Sequence, residues 1–230
     1  MEQQIKKHEV LEDTSSKNAS SIQFAVGVMA LTALLLGSAT TTSGRTANSE
    51  LETFAKSVFD QRLPNAYKSQ SEKLAKTLVE QSKLHGLHPL MILALIETES
   101  GFNVNAIGGV GEIGLMQVRP STARILLHSS VKFAREQLKN PVKNLEIGIR
   151  YLAEQRSVKS NFSATAKTHF ILASYNMGPG KFNQAFKKGV RKTKYSNKIV
   201  KRSFEFHQFL LGIVPPMKTT VRASAKFAQL

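Results

Sequence analysis

From residue 18 to residue 44 the chain carries no charged side chain, and within that window 22–39, IQFAVGVMALTALLLGSA, is almost wholly apolar. A run of this length is at the lower edge of the ~18 to 20 residues that cross a bilayer as a helix. Two readings compete for it. Gly37-Ser38-Ala39 supplies the small residues that precede a signal-peptidase cut, so 22–39 reads as a signal peptide. The polar segment before it, 1–21, contains Glu2, Glu9, Glu12 and Asp13, which fits an uncleaved signal anchor better. Either reading exports the remainder, to the periplasm or the outer face of the cytoplasmic membrane, and the second makes it single-pass anchored.

Downstream the apolar positions take the 3.6-residue period of helices. Residues 40–48 are polar and read as a linker. Ser49 with Glu52 makes a capping box, and Leu51, Phe54, Ala55, Val58 and Phe59 recur at helical spacing as far as Pro64. This linker and short helix, 40–68, lead into the main domain, 69–212. Helices are expected there at 71–84, stopped by Gly86, and at 89–100, opened by Pro89 and closed by Gly101. Further helices are expected at 120–128, at 141–155 with Asn140 as N-cap, at 163–176 ended by Gly178-Pro179-Gly180, and at 195–211. Residues 90–96 are apolar all round, which marks their helix as the buried centre. Residues 101–119 hold five glycines, so a loop or small hairpin is expected instead of a helix. The last stretch, 213–230, shows no period and reads as a basic tail. The sum is a mainly α fold, a single globular helical domain with one glycine-rich insert.

Composition narrows the chemistry. With 230 residues and 41% hydrophobic content the chain can bury one core of ordinary size. It has no cysteine, and its six histidines (His8, His85, His88, His128, His169, His207) show no HExxH or comparable spacing, so neither a metal nor another cofactor is expected. The net charge of +16 is uneven: from Lys181 onward there are twelve Lys or Arg against one acid, Glu205. Such a face suits a polyanion, whether nucleic acid, an anionic membrane surface or an acidic wall polymer, or is simply solvated. No aromatic-interleaved platform is present, so nothing but charge would speak for nucleic acid.

Three acids lie in or near the glycine-rich segment: Glu97, Glu99 and Glu112. A helix turns about 100° per residue, so Glu97 and Glu99 point about 200° apart and cannot face one substrate bond together. Glu99 sits in the last helical turn, where the negative end of the dipole disfavours a further negative charge, and Ile92, Leu95 and Ile96 stack behind it. Both effects raise a carboxyl pKa and favour the protonated form of a general acid. Periodicity alone does not rank Glu99 against Glu97, and a solvated helix-end glutamate remains the ordinary outcome for each.

Glu99-Ser100-x-x-Asn103 followed by Gly111-x-x-Gly114-Leu115-Met116-Gln117 resembles the signature of the soluble lytic transglycosylase (SLT) family, glycoside hydrolase family 23, related to goose-type lysozyme. Asn140-Pro141-x-x-Asn144-x-x-x-Gly148-x-x-Tyr151-Leu152 is similar to its third motif. Ala173-x-Tyr175-Asn176-x-Gly178-Pro179-Gly180 is similar to its fourth, and Tyr195-x-x-Lys198-Ile199, more weakly, to its last. The blocks stand in the family's order. The resemblance implies an α+β lysozyme-like fold and a peptidoglycan lytic transglycosylase, with glycan strands as partner and anionic wall polymers or a membrane surface as further possibilities.

The resemblance also implies roles. Glu99 would be the sole catalytic acid/base and Glu97 a bystander, Gln117 would line the sugar cleft, Tyr175 and Asn176 would contact the acid or the N-acetyl group, and Ser100 and Tyr195 would join the substrate-binding set. Most glycosidases need two carboxylates; here the substrate's own N-acetyl carbonyl would replace one. Two departures stand out. Many members carry a serine nine residues after the catalytic Glu, where this chain has Gly108, and a small residue where it has Glu112. Glu112 is either a solvent-facing loop acid or a second carboxylate that favours lysozyme-like hydrolysis. The other alternative is a non-catalytic wall-binding or assembly protein on the same scaffold.

Overall fold

The computed structural model describes residues 41–156 and 163–213. Nine α-helices and one 3₁₀ helix are found among them: α1 (Thr41–Arg62), the 3₁₀ turn (Asn65–Gln70), α2 (Ser71–Leu84), α3 (Pro89–Glu99), α4 (Pro120–Leu127), α5 (Val131–Lys139), α6 (Pro141–Glu154), α7 (Ala164–Met177), α8 (Pro179–Lys187) and α9 (Lys194–Leu210).

α3 is the axis of the core. Its first eight residues, Pro89, Leu90, Met91, Ile92, Leu93, Ala94, Leu95 and Ile96, are all buried. His88 caps it, its Nδ1 accepting the Leu90 N–H at 3.2 Å, and Pro89 supplies the first-turn residue that has no N–H to satisfy. α1, α2 and α9 pack against α3, while α6 packs on α2 and α7 on α9. The amphipathic faces follow the expected register: Leu74, Ala75, Leu78 and Val79 of α2, Leu145, Ile149 and Leu152 of α6, and Ile199, Val200 and Phe206 of α9 all point into one core. The mainly helical reading therefore holds, and 71–84, 89–100 and 141–155 lie within a residue of their expected bounds.

Four expectations are corrected. The segment 41–48 is not a linker: α1 already runs from Thr41, and Ser49 is helix interior, its carbonyl accepting the Thr53 hydroxyl at 2.8 Å. Ser and Thr cost only ~0.5 kcal/mol each inside a helix, so a capping pattern does not force a start. α5 and α8 were not expected, because each buries little: Ala134 and Leu138 in α5, and Phe182 alone in α8. Gly178-Pro179, read as a stop, ends α7 but also opens α8, with Pro179 in its first turn. The β component of an α+β fold forms no strand among the described residues. The segment 101–119 contains only the isolated antiparallel bridges Ile107–Ile113 and Ile113–Val118, since positive φ at Gly111, Gly114 and Gln117 turns the chain before a ladder can grow. The apolar run 22–39 and the tail residues 214–230 lie outside the described residues. No helix among the described residues is long and apolar enough to cross a membrane.

Candidate active site

Glu99 is the last residue of α3, where the chain leaves the core. Immediately after it, Ser100 donates its hydroxyl to the Leu115 carbonyl at 2.9 Å and to Ile96 at 3.2 Å, which draws the glycine-rich loop back over the helix end. Phe102, fully buried at φ 68°, packs edge-on to Phe59 with ring centres 5.8 Å apart and anchors the start of the loop.

α6 holds the far side of that loop. Asn144, wholly buried, accepts the Met116 N–H at 2.9 Å and donates to the carbonyls of Ile113 at 2.7 Å and Leu138 at 3.0 Å. Two glycines allow this closeness. A Cβ on Gly114 would lie 2.3 Å from Asn144 Nδ2, and one on Gly148 would lie 2.5 Å from Met116 Sδ. Tyr175 of α7 donates to the Met116 carbonyl at 2.7 Å, and its ring lies 5.1 Å from that of Tyr151. Gln117, at φ 48°, gives its amide protons to the carbonyls of Gly114 at 2.9 Å and Ala106 at 3.2 Å.

The other wall is the first turn of α9. Thr193 and Ser196 cap each other there, and Ser196 also meets the Nδ1 of buried His169 at 2.9 Å. From this fixed turn the Tyr195 hydroxyl donates a hydrogen bond to Glu99 Oε1. The pKa of Glu99 is raised from an ordinary 4.5 to about 7, chiefly because burial penalises its charge. The negative charge of Glu112 adds to the rise, while the Tyr195 hydrogen bond and Lys198 oppose it. Tyr195 and Tyr175 are held well above the usual phenol range, first by burial and then by the charge of Glu99. A carboxyl in this state is both donor and acceptor near neutral pH.

Glu97, left unranked by periodicity, is committed elsewhere: it pairs with Arg62 at 2.7 Å and with Arg202. Glu112 is not the solvent-facing acid that its loop position suggests. Its side chain is 18% exposed and accepts from Arg119 Nε at 2.9 Å and from the Val110 N–H at 3.1 Å. Of the expected site residues, Glu99, Tyr195 and Tyr175 come together. The protons of Ser100 and Gln117 are used to brace the loop, and Asn176 is exposed at the end of α7. Asn144 and Arg119 were missed as supports, although the spacing Asn140-x-x-x-Asn144 placed the former one turn into a helix. Among the described residues no group of three or more His, Cys, Asp or Glu converges as metal ligands would.

The arrangement defines a helical protein organised around one protonatable carboxyl at a helix end. Comparison with known proteins extends this: the family model described as "Transglycosylase SLT domain" matches residues 77–198, which include Glu99, the loop, Tyr175 and Tyr195. The chain belongs to that family. Among curated relatives, the membrane-bound lytic murein transglycosylase C of Actinobacillus pleuropneumoniae serotype 5b (strain L20) is 34% identical over 113 residues, 46% of this chain and 31% of the relative. Those of Yersinia enterocolitica serotype O:8 / biotype 1B (strain NCTC 13174 / 8081) and Serratia proteamaculans (strain 568) are 29% and 30% identical, each over 56% of this chain and 38% of the relative. The chain thus spans about a third of the length of the curated relatives it matches.

Proposed function

We propose that this protein is a peptidoglycan lytic transglycosylase, acting outside the cytoplasmic membrane on glycan strands, with Glu99 as its only acid/base. The observation that carries the reading is the state of Glu99: one carboxyl, its pKa raised to about 7, hydrogen-bonded by a tyrosine on a capped helix turn. The family membership and the names of the relatives support the substrate class.

The chemistry follows from a group that is acid first and base second. Protonated Glu99 gives its proton to the glycosidic oxygen between MurNAc and GlcNAc, and the bond to C1 breaks. The carbonyl of the substrate's N-acetyl group stabilises the cationic C1, the task that a second carboxylate performs in most glycosidases. Glu99, now ionised and still held by Tyr195, takes the proton from the C6 hydroxyl of the same MurNAc. Its oxygen bonds to C1 and closes a 1,6-anhydro ring. No water is consumed, and Glu99 ends protonated, ready for another cycle. Asn176, exposed at the end of α7, is assigned to contact the sugar's polar groups on the motif it belongs to.

Digestion of purified peptidoglycan followed by mass spectrometry of the muropeptides tests the reading. Wild type is expected to release 1,6-anhydro-MurNAc ends, and Glu99→Gln, folded as judged by circular dichroism, to release none. Reducing MurNAc ends would assign the protein to the muramidases instead. Absence of products from both proteins, with binding to sacculi retained, would make it a non-catalytic wall-binding module.

A further inference from the structure

Gly108 and Glu112 face each other across the turn of the glycine-rich loop. A Cβ on Gly108 would lie 2.5 Å from Glu112 Oε2, 3.1 Å from Glu112 Cβ and 2.8 Å from Gln117 Oε1. Separations below 3 Å are not tolerated, so one of these groups would have to leave its place. Backbone conformation is not what requires glycine here: Gly101, Gly111 and Gly114 adopt positive φ in this loop, and Gly108 does not. The requirement is spatial and is made by the side chains of Glu112 and Gln117. The Glu112 carboxylate is held in place. Oε1 accepts from Arg119 Nε at 2.9 Å and Oε2 from the Val110 N–H at 3.1 Å, and the loop closes round them through the Gly108 N–H to Glu112 carbonyl bond of 2.9 Å.

We propose that Glu112 is a positioning residue of the active site: lodged by Arg119 and Val110 in the space that a side chain at Gly108 would fill, it presents a fixed negative charge to Glu99 and a wall to the Gln117 amide, so that positions 108 and 112 act as one unit. This rests on Glu99 being the acid proposed above. Tyr195 of α9 touches Glu99, and Lys198 of α9, Tyr175 of α7 and Glu112 of the loop interact with it through charge. Arg119, before α4, pairs with Glu112, and the charge of Arg119 acts in turn on Tyr151 of α6. Burial is the main cause that keeps the proton on Glu99 and the negative charge of Glu112 adds to it, while the Tyr195 bond and Lys198 pull it off. The sign is fixed: with Glu112 neutral, Glu99 ionises at lower pH.

The test measures kcat/KM against pH for wild type, Glu112→Gln, Gly108→Ala and the double variant, with a ¹³C titration of the Glu99 carboxyl as a second readout that needs no activity. Glu112→Gln should move the alkaline limb to lower pH, with a roughly three- to tenfold loss near about pH 8 and little change near about pH 5.5. Gly108→Ala, by displacing the carboxylate, should move the limb in the same direction, and the double variant should move it no further than Glu112→Gln alone. An unmoved Glu99 titration in Glu112→Gln overturns the positioning role. Additive shifts at 108 and 112 overturn the coupling between them. A wild type that releases no muropeptides defeats the proposed function instead, and the carboxyl titration then still decides whether Glu112 acts on Glu99.

Discussion

Glu97 and Glu99 sit two residues apart on one helix and meet different partners. Glu97 is paired with Arg62 and Arg202, whereas the carboxyl of Glu99, half-buried beside Tyr195, has its pKa pushed up to about 7. A carboxyl whose pKa is raised in the folded protein binds its proton more tightly there than in the unfolded chain. Its contribution to stability is therefore full below its ordinary 4.5, declines as pH rises, and is lost above about 7. Replacing Glu99 by Gln removes that titration while leaving an oxygen for Tyr195 to bond. Thermal unfolding should then show the variant gaining on wild type between about pH 5 and about pH 8, by up to about 3 kcal/mol at ~1.4 kcal/mol per pKa unit. A difference that stays flat with pH would mean that Glu99 is not perturbed. Helical geometry alone could say that these two acids diverge, but not where each ends: the partner of Glu97, Arg202, lies 105 residues further along the chain. The family's motif register, by contrast, named Glu99 outright, and Tyr175 and Tyr195 with it.

At the scale of elements, the site is a helix end with a loop strapped over it. Ser100 fastens the loop to α3, Tyr175 to α7 and Asn144 to α6. Asn144 carries most of this strap, because its removal would leave the Met116 N–H and the Ile113 and Leu138 carbonyls without their side-chain partner in a buried place. Each such group costs about 1 to 3 kcal/mol. Asn144→Ala should therefore lower the unfolding free energy by about 3 to 5 kcal/mol in urea denaturation, and a loss below about 1 kcal/mol would show that the loop is held by other contacts. The helices that carry a continuous apolar stripe were legible in the pattern of residues. α5 and α8 were not, since one or two buried positions do not make a period, and the start of α1 was hidden by weak helix formers. The loop's inner bracing was legible only as glycines. That Gly114 and Gly148 exist to let Asn144 and Met116 approach is a fact about two elements that meet, and no local window contains it.

The whole molecule is tied together by an ionic cluster that joins its first and last described helices to its central one. Arg62 of α1 and Arg202 of α9 converge on Glu97 of α3, and Arg202 reaches Glu205 at 2.9 Å as well. These groups are only 12–30% exposed at Glu97, Arg62 and Arg202, so the cluster is shielded more than a surface pair. Glu97→Gln should cost about 1 to 3 kcal/mol of stability and loosen α9, the helix that delivers Tyr195 to Glu99. Activity per folded molecule should fall with it, and unchanged unfolding would show that apolar packing alone seats α9. The uneven basic charge belongs to this scale too, and it suits a polyanionic partner without naming one. The central claim is that Glu99 works alone and that the sugar's own C6 hydroxyl, not water, receives C1. The most direct measurement is digestion of purified peptidoglycan in ¹⁸O-labelled water with mass spectrometry of the products. The account predicts 1,6-anhydro-MurNAc ends that carry no label; labelled, reducing MurNAc ends would contradict it.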